Sequence, residues 1–166
     1  MFTLKQIWAP WRIEYILQPK DENECFICHA LKEKNDKENL ILFRGKKALV
    51  LINKYPYIAG HLMVAPNNHT SELEEIDEET SKEMWELTTK SVKLLKQAIQ
   101  PEGFNVGINL GAVSGAGLKT HVHIHIVPRW TGDTNFMPIL AGTRAISQGL
   151  EETFDKLSEY IMVFQD

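Results

Sequence analysis

The sequence predicts an α+β fold with a mainly antiparallel sheet, one long central helix and a C-terminal helix. Three observations carry this prediction: short apolar runs bounded by turn residues, one long segment with helical spacing of its apolar residues, and a second such segment near the C-terminus. The predicted strands cover Leu40–Phe43, Ala48–Asn53, Gly60–Pro66, Phe104–Leu110 and His121–Val127.

The long helix is predicted over Glu78–Gln100, between the third and fourth strands. Asp77 stands directly before it as a possible N-cap, and Pro101 and Gly103 end it. A second amphipathic helix is predicted near Gln148–Val163. The apolar stripe of the long helix comprises Met84, Leu87, Leu94, Leu95 and Ala98.

The composition fits a single domain over residues 1–166, in which residues 1–24 form an aromatic-rich arm. A content of 43% hydrophobic and 24% charged residues is ordinary for a soluble globular protein. The net charge of −4 lacks the excess of positive charge that is typical of proteins that bind nucleic acid non-specifically. No apolar run approaches the roughly 18 residues of a membrane span, and the N-terminus has no signal-peptide pattern. We therefore expect a cytoplasmic protein with neither a nucleic-acid nor a membrane partner.

Three histidines alternate with apolar residues in the last predicted strand. Side chains two residues apart share a strand face, so His121, His123 and His125 form one row and the residues between them face the other way. Neighbours in such a row are roughly 7 Å apart and can contact successive parts of one extended ligand. A solvated strand face or an accidental metal site would also explain a single histidine, but the triple alternation favours a functional site.

Imidazole is suited to attack on phosphorus. Its pKa of about 6.5 leaves it largely neutral, and therefore nucleophilic, at physiological pH. Attack on an α-phosphate displaces the distal phosphates and leaves a phosphoramidate on the protein, which divides one difficult step into two. Neighbouring histidines can donate hydrogen bonds to phosphoryl oxygens or protonate the departing oxygen.

The segment from His121 to Val127, His-Val-His-Ile-His-Ile-Val, resembles the signature of the histidine triad family. The resemblance implies a histidine triad fold in which His123 is the nucleophile and His125 contacts the phosphate and assists the leaving group. It also implies that His61 orients the neighbourhood of His123, although a hydrogen-bonded core histidine is an equally good interpretation. Segment 60–66 is similar to the family's Gly-His strand, and segments 8–12 and 129–136 are similar to a bacterial branch related to diadenosine tetraphosphate phosphorylases.

Five further residues are candidate substrate contacts by the same resemblance. Asn53 is similar to the family's ribose-binding asparagine, and Asn109 to a nucleotide-contacting residue, but both also stand at strand ends where asparagine favours turns. Gly115 and Gly117 lie in a loop whose N–H groups could bind phosphate, or they are simple turn residues. Arg129, just beyond the triad, is either a solvated charge or a residue that steers phosphate.

Cys25 and Cys28 have the C-x-x-C spacing of half a zinc site. The same spacing marks redox sites, but this region lacks the βαβ context of a thioredoxin, and the pair could also be two ordinary reduced cysteines. Resemblance to zinc-bearing members implies that His69 and His121 complete a structural zinc site. His29, adjacent to the pair, is a competing ligand.

The resemblance implies cleavage of a nucleotide phosphoanhydride through a nucleotidyl-His123 intermediate, by a phosphorylase or hydrolase of diadenosine tetraphosphate. A nucleoside phosphoramidase, a nucleotide-binding adaptor with little catalysis, and a purely metal-binding protein are the alternatives. The resemblance also implies a homodimer. Trp85 would widen the apolar surface of the long helix for contact with a second copy, or it would cap the core of the monomer. No organic cofactor is expected. Some relatives carry Ser or Gln in place of Gly117, and some carry an acidic residue in place of Thr120. These two differences bear on the choice of substrate and not on the family.

Overall fold

The computed structural model describes residues 25–133 and 148–165. The predicted aromatic arm, residues 1–24, and the branch motif beyond residue 133 lie outside the described residues. Three short 3₁₀ helices, Leu73–Glu75, Ala112–Ser114 and Ile161–Phe164, accompany the main elements. The main elements are α1 (Phe26–Lys32), β1 (Ile41–Arg44), β2 (Ala48–Ile52), β3 (Leu62–Pro66), α2 (Glu78–Ile99), β4 (Gly103–Ile108), β5 (Ile124–Arg129) and α3 (Leu150–Ser158).

The five strands form one sheet in the order β1-β2-β3-β5-β4. Every neighbouring pair is antiparallel, which confirms the predicted α+β fold with its long central helix and C-terminal helix. β5 lies between β3 and β4, where Met63 and Gly107 both pair with His125. The strand that carries the last histidine is therefore central, and β4 is an edge strand.

Helix α2 begins where the sequence predicts. The Asp77 side chain accepts a hydrogen bond from the Thr80 N–H at 2.9 Å, which makes Asp77 the N-cap. The helix ends one residue earlier than predicted because Gln100 adopts a left-handed conformation with φ of 48°. All five residues of the predicted apolar stripe are buried, and α2 packs against β2, β3 and β5.

The two faces of the sheet have different cover. The face under α2, here called the helix face, carries a large apolar core that includes Val50, Val64 and Ile126. On the opposite face, Met63 packs in a smaller cluster with Cys25 and Ile27 around α1. Directly paired residues of neighbouring strands project to the same face, so His125 lies on this second face with Met63, and we call it the site face.

The strand boundaries differ by up to three residues from the sequence prediction, and two of these shifts have a visible cause. β5 begins at Ile124, because the Val122 N–H bonds to the Thr70 carbonyl at 2.8 Å instead of to a neighbouring strand. β3 begins at Leu62, because Gly60 has φ of +80° and forms a turn. A Cβ at Gly60 would lie 2.6 Å from Ile99 Cδ1, so this turn packs tightly on the end of α2. The C-terminal helix is shorter than predicted and continues as the 3₁₀ helix Ile161–Phe164.

Within residues 25–133 and 148–165, no helix combines the length and the apolar character that crossing a membrane requires.

Candidate active site

His123 is buried, with 4% of its surface exposed, and its ring is fixed by a backbone group. Its Nδ1 lies 2.8 Å from the carbonyl oxygen of His121. A carbonyl oxygen only accepts, so Nδ1 must carry the proton and donate it. The neutral ring consequently keeps its lone pair on Nε2, which is the arrangement a nucleophilic imidazole needs.

A second backbone group fixes the rings of His61 and His125. The Tyr57 N–H donates to His61 Nδ1 at 3.1 Å, so the proton of the neutral His61 ring is on Nε2. His61 Nε2 lies 3.0 Å from His125 Nδ1 and donates to it, which places the proton of His125 on Nε2. Among the described residues this buried His125 Nε2 has no hydrogen-bond partner. The chain from Tyr57 to His125 thus presents one buried N–H donor to an incoming ligand.

Burial keeps these imidazoles neutral. It lowers the pKa of His61 to about 3, with smaller contributions from His125 and His123. It also lowers the pKa of His125 to about 4, with a contribution from His123. The pKa of His123 is lowered by burial, against the opposing effect of its hydrogen bond to the His121 carbonyl. All three rings are therefore uncharged near neutral pH, as the donor and acceptor assignments require.

An open cleft of about 180 Å³ lies beside His125 on the site face, above β4 and β5. Gly107 lies directly opposite His125, and a Cβ added there would meet no atom within 4 Å. The Tyr57 ring also borders the cleft, with its centroid 4.6 Å from that of His61 and 5.9 Å from that of His125. The cleft is lined by Tyr57, Asn105, Val106, Gly107, Asn109, His125 and Val127.

The predicted substrate-binding asparagines and glycines differ in their contacts. Asn109 lines the cleft, as the prediction requires of a ligand contact. Asn53 Oδ1 accepts the Tyr55 N–H at 2.9 Å, and its Nδ2 lies 3.4 Å from His61 Nδ1, so this side chain also supports the turn. The Gly115 N–H faces the Ala112 carbonyl at 3.5 Å. At Gly117, a Cβ would meet no atom within 4 Å, so the backbone there is open to a ligand.

The Arg129 guanidinium is held within the protein. Its Nε and Nη2 donate to the Asp133 carboxylate at 2.6 and 2.8 Å, and Nη1 donates to Asn105 Oδ1 at 2.7 Å. The Asp133 side chain is only 5% exposed, so this is a well-ordered bidentate pair. These bonds use three of the five guanidinium N–H groups and fix its orientation, and the direct contact with phosphate stays a prediction.

The predicted metal ligands come together in one cluster. The ligand atoms of Cys25, Cys28, His69 and His121 all lie within 4.8 Å of one another. His121 Nδ1 is 3.3 Å from Cys25 Sγ and 3.6 Å from Cys28 Sγ, and His69 Nδ1 is 3.2 Å from Cys28 Sγ. In a tetrahedral zinc site the ligand atoms are about 3.5 Å apart, as follows from Zn–N and Zn–S bonds of about 2.0 and 2.3 Å.

The second nitrogen of His121 supports the same interpretation. Nε2 lies 2.8 Å from the Pro66 carbonyl oxygen and must donate its proton there. The lone pair of the neutral ring is then on Nδ1, which faces the two sulfur atoms, and this is the usual orientation of a metal-binding histidine. The four residues therefore fit a zinc ion, whereas His29 is exposed and outside the cluster.

Comparison with known proteins identifies the family. The model of the HIT domain, the histidine triad domain, matches residues 34–132. The chain belongs to the HIT family. It is 38% identical over 157 residues to an AP-4-A phosphorylase of Mycobacterium tuberculosis, an alignment that covers 90% of this chain and 80% of the relative.

Other HIT proteins are similar over less of the chain or in fold alone. An adenosine 5′-monophosphoramidase of Schizosaccharomyces pombe is 30% identical over 105 residues, 63% of this chain and 74% of that one. The crystal structure of a Zn-bound histidine triad family protein from Mycobacterium smegmatis superposes with a TM-score of 0.67 at 22% identity, covering 87% of this chain and 97% of that one.

Three groups at this site were missed by the sequence analysis. The Tyr57 amide and the Pro66 carbonyl fix imidazole protons, but backbone groups leave no signal in a sequence. Asn105 could have been found, because Asn105, Gly107 and Asn109 repeat every second residue along a predicted strand, which places them on one face.

Acidification should destabilise this HIT domain through its buried histidines. The unfolded chain takes up protons near pH 6.5, but folded His61 and His125 stay neutral down to about pH 3 and 4. Above about pH 6.5 these two histidines do not reduce the free energy of unfolding. Below it, that free energy falls by up to about 1.4 kcal/mol per pH unit for each histidine. Urea unfolding at several pH values between about 7 and 5 should show this decline, and His61→Gln should make it shallower.

His29→Gln, which replaces an exposed histidine, is the matched control and should leave the slope of stability against pH unchanged. A His61→Gln slope equal to that of the unaltered protein would show that folding does not lower the pKa of His61.

Proposed function

We propose that this HIT protein cleaves a phosphoanhydride bond of a nucleotide through a covalent nucleotidyl intermediate on His123, with diadenosine tetraphosphate as its substrate. The observation that carries the proposal is the complementary protonation of two adjacent rings. His123 holds a lone pair on Nε2, and His125 holds a buried N–H without a partner among the described residues. A nucleophile thus stands beside a donor that can stabilise the charge of the group it displaces.

In the first step, the Nε2 lone pair of His123 forms a bond to the α-phosphorus while the bond from phosphorus to the bridging oxygen breaks. The displaced nucleotide leaves as a phosphate anion, so no proton transfer is needed, and the His125 Nε2–H hydrogen-bonds the charge that develops. The adduct ring becomes cationic, because both its nitrogens are now substituted. Its Nδ1–H continues to donate to the His121 carbonyl, a hydrogen bond that a positive charge on the ring strengthens.

In the second step, an acceptor oxygen attacks phosphorus, the P–N bond breaks, and His123 recovers its lone pair. With inorganic phosphate as acceptor, diadenosine tetraphosphate gives ADP and ATP; with water it gives AMP and ATP. Phosphate is the acceptor favoured by the 38% identity to an AP-4-A phosphorylase. A phosphoramidase reaction would share the same second step and differ in its leaving group, and the similarity to a monophosphoramidase supports it as the second candidate.

The decisive assay is turnover of diadenosine tetraphosphate with and without inorganic phosphate, with AMP, ADP and ATP resolved by chromatography. We expect phosphate-dependent formation of ADP and ATP, and a loss of at least about a thousandfold in His123→Ala, because the nucleophile is removed. His29→Ala, an exposed histidine outside the site, should retain the full rate. AMP with ATP would indicate hydrolysis instead, and unchanged turnover in His123→Ala would refute the assigned nucleophile.

We further propose that Cys25, Cys28, His69 and His121 bind a structural Zn²⁺. Two observations support this assignment. The four ligand atoms lie close together, and His121 donates from Nε2 to the Pro66 carbonyl, which leaves Nδ1 for the metal. Two cysteines and two histidines form a closed tetrahedral set with no open position for chemistry. Both cysteines are free thiols, which such a site requires, and this fits a protein that works in the reducing cytoplasm.

Metal analysis of the purified protein should give about one zinc per chain. Cys25→Ser should lose the zinc and melt at least about 5 °C lower, because metal binding and folding are coupled. His29→Asn should keep both the zinc and the melting temperature, since the competing ligand lies outside the cluster. Purified unaltered protein that contains no zinc, or that melts at the same temperature after a chelator removes its zinc, would contradict the structural role.

A homodimer is the third part of the proposal, formed by pairing of β4 edges from two copies. β4 has one strand neighbour among the described elements, so its outer backbone groups can pair with another strand. Val106 and Ile108, on the helix face of β4, are 43% and 36% exposed. Trp85 on α2 is 63% exposed, so it does not cap the core of the single chain and remains available to a second copy.

Sedimentation equilibrium at micromolar concentration should give twice the 19.0 kDa mass of one chain. Val106→Glu should shift the equilibrium to the monomer, because it places a charge in the apolar contact. Val113→Glu is the matched control and should remain dimeric, since Val113 is fully exposed on the loop after β4. A single-chain mass at every concentration would exclude the dimer.

A further inference from the structure

We propose that the cleft above β4 binds the part of the substrate that leaves when the α-phosphate bond breaks, and that Asn105 is the positioning residue for its phosphates. The inference rests on the proposed function and deepens it by assigning the leaving group a place and a binding residue. Four observations support it: the position of the cleft, the open surface at Gly107, the orientation of the Asn105 amide, and the partners of Arg129.

The cleft lies on the far side of the histidines from Asn53. The strand order is β1-β2-β3-β5-β4, and Asn53 follows β2, whereas the cleft is above β5 and β4. In this proposal the ribose lies at Asn53 and the α-phosphate at His123 and His125, and the open surface that continues from there across the sheet leads toward β4. In-line displacement at phosphorus also requires the leaving oxygen opposite the attacking nitrogen, and therefore separates the leaving group from the retained nucleoside.

The surface in that direction is open and adjoins the His125 donor. Gly107 pairs with His125, and the absence of a side chain leaves the space beside the imidazole free. Asn105 is two residues earlier on β4, opposite Val127, and lies on the same face. A polyphosphate that leaves past His125 would cross Gly107 and reach Asn105 next.

The Asn105 amide is held so that it can donate to an anion. Arg129 Nη1 lies 2.7 Å from its oxygen, and because a guanidinium only donates, this atom must be Oδ1. Nδ2, with two N–H groups, is then the polar atom that Asn105 can offer to the cleft, and no other described residue bonds it. Two amide N–H groups are suitable donors to phosphate oxygens.

Arg129 acts through Asn105 in this arrangement. Its Nε and Nη2 donate to the Asp133 carboxylate, which fixes the guanidinium and partly neutralises its charge. In this proposal Arg129 orients the amide that contacts phosphate, and the direct phosphate contact expected from the sequence stays a separate prediction. Pairing of β4 with a second copy uses backbone groups in the plane of the sheet and leaves the site face, with Asn105, open.

The test compares two substrates that share the adenosine 5′-phosphoryl group and differ in what leaves. Diadenosine tetraphosphate releases a nucleotide, whereas adenosine 5′-phosphoramidate releases ammonia, which cannot reach Asn105. For Asn105→Ala we expect kcat/KM to fall about tenfold to a hundredfold with the first substrate and to change less than about threefold with the second. Asn105→Asp should lose more than Asn105→Ala with the first substrate, because a carboxylate repels phosphate.

Arg129→Lys should reproduce the selective loss, since lysine cannot hold Asp133 and Asn105 in one fixed fork. Asn39→Ala, at the opposite edge of the sheet before β1, is the matched control and should leave both substrates unaffected. Binding of inorganic tripolyphosphate, measured by calorimetry, should weaken about tenfold in Asn105→Ala and stay unchanged in Asn39→Ala. This measurement does not depend on turnover of either substrate.

The inference would be overturned if Asn105→Ala lost equal activity with both substrates, or none with either, and bound tripolyphosphate as tightly as the unaltered protein. The chemistry assigned to His123 would be unaffected by that result. An unaltered protein that cleaves neither substrate would instead refute the proposed function, and tripolyphosphate binding would then decide the role of the cleft alone.

Discussion

The protonation of the imidazoles by backbone groups is the constraint on which the rest of this site depends. An amide N–H can only donate and a carbonyl can only accept, so the Tyr57 amide and the His121 carbonyl leave each neutral ring a single arrangement of its proton. The loop before β3 and the extended segment before β5 hold these groups. The nucleophilic lone pair and the adjacent donor are consequently properties of the fold, present before any ligand binds.

His121 joins two parts of the molecule that otherwise have separate roles. Its side chain lies between Cys25 and the Pro66 carbonyl, and its own carbonyl holds His123. The backbone that orients the candidate nucleophile is thus tied at one residue to the N-terminal helix α1 and to the end of β3. A histidine of the triad can therefore serve the reaction by holding its neighbour in place, without contacting substrate.

Much of the fold could be predicted from the sequence, and the reasons for the exceptions are physical. The long helix followed from its apolar stripe and the Asp77 cap, but the β5 start did not, because the bond from Val122 to Thr70 joins residues distant in the sequence. The four cysteine and histidine ligands came from family resemblance and lie together, since spacing alone pairs only Cys25 and Cys28. The bond from Arg129 to Asn105 could not be anticipated, because it joins two strands whose pairing the sequence does not reveal, whereas Asp133 is only four residues away.

The left-handed turn at Gly60 has a consequence for the interpretation of sequence variation in this protein. Its φ of +80° strains any residue that carries a side chain, and a Cβ there would also have to displace Ile99 Cδ1, directly before His61. In a saturation-mutagenesis scan scored by turnover, this position would rank with the histidines in intolerance, although glycine has no side chain to take part in the reaction. Intolerance at residue 60 would thus mark the geometry of a turn, and a scan scored by abundance would separate it from the reacting groups.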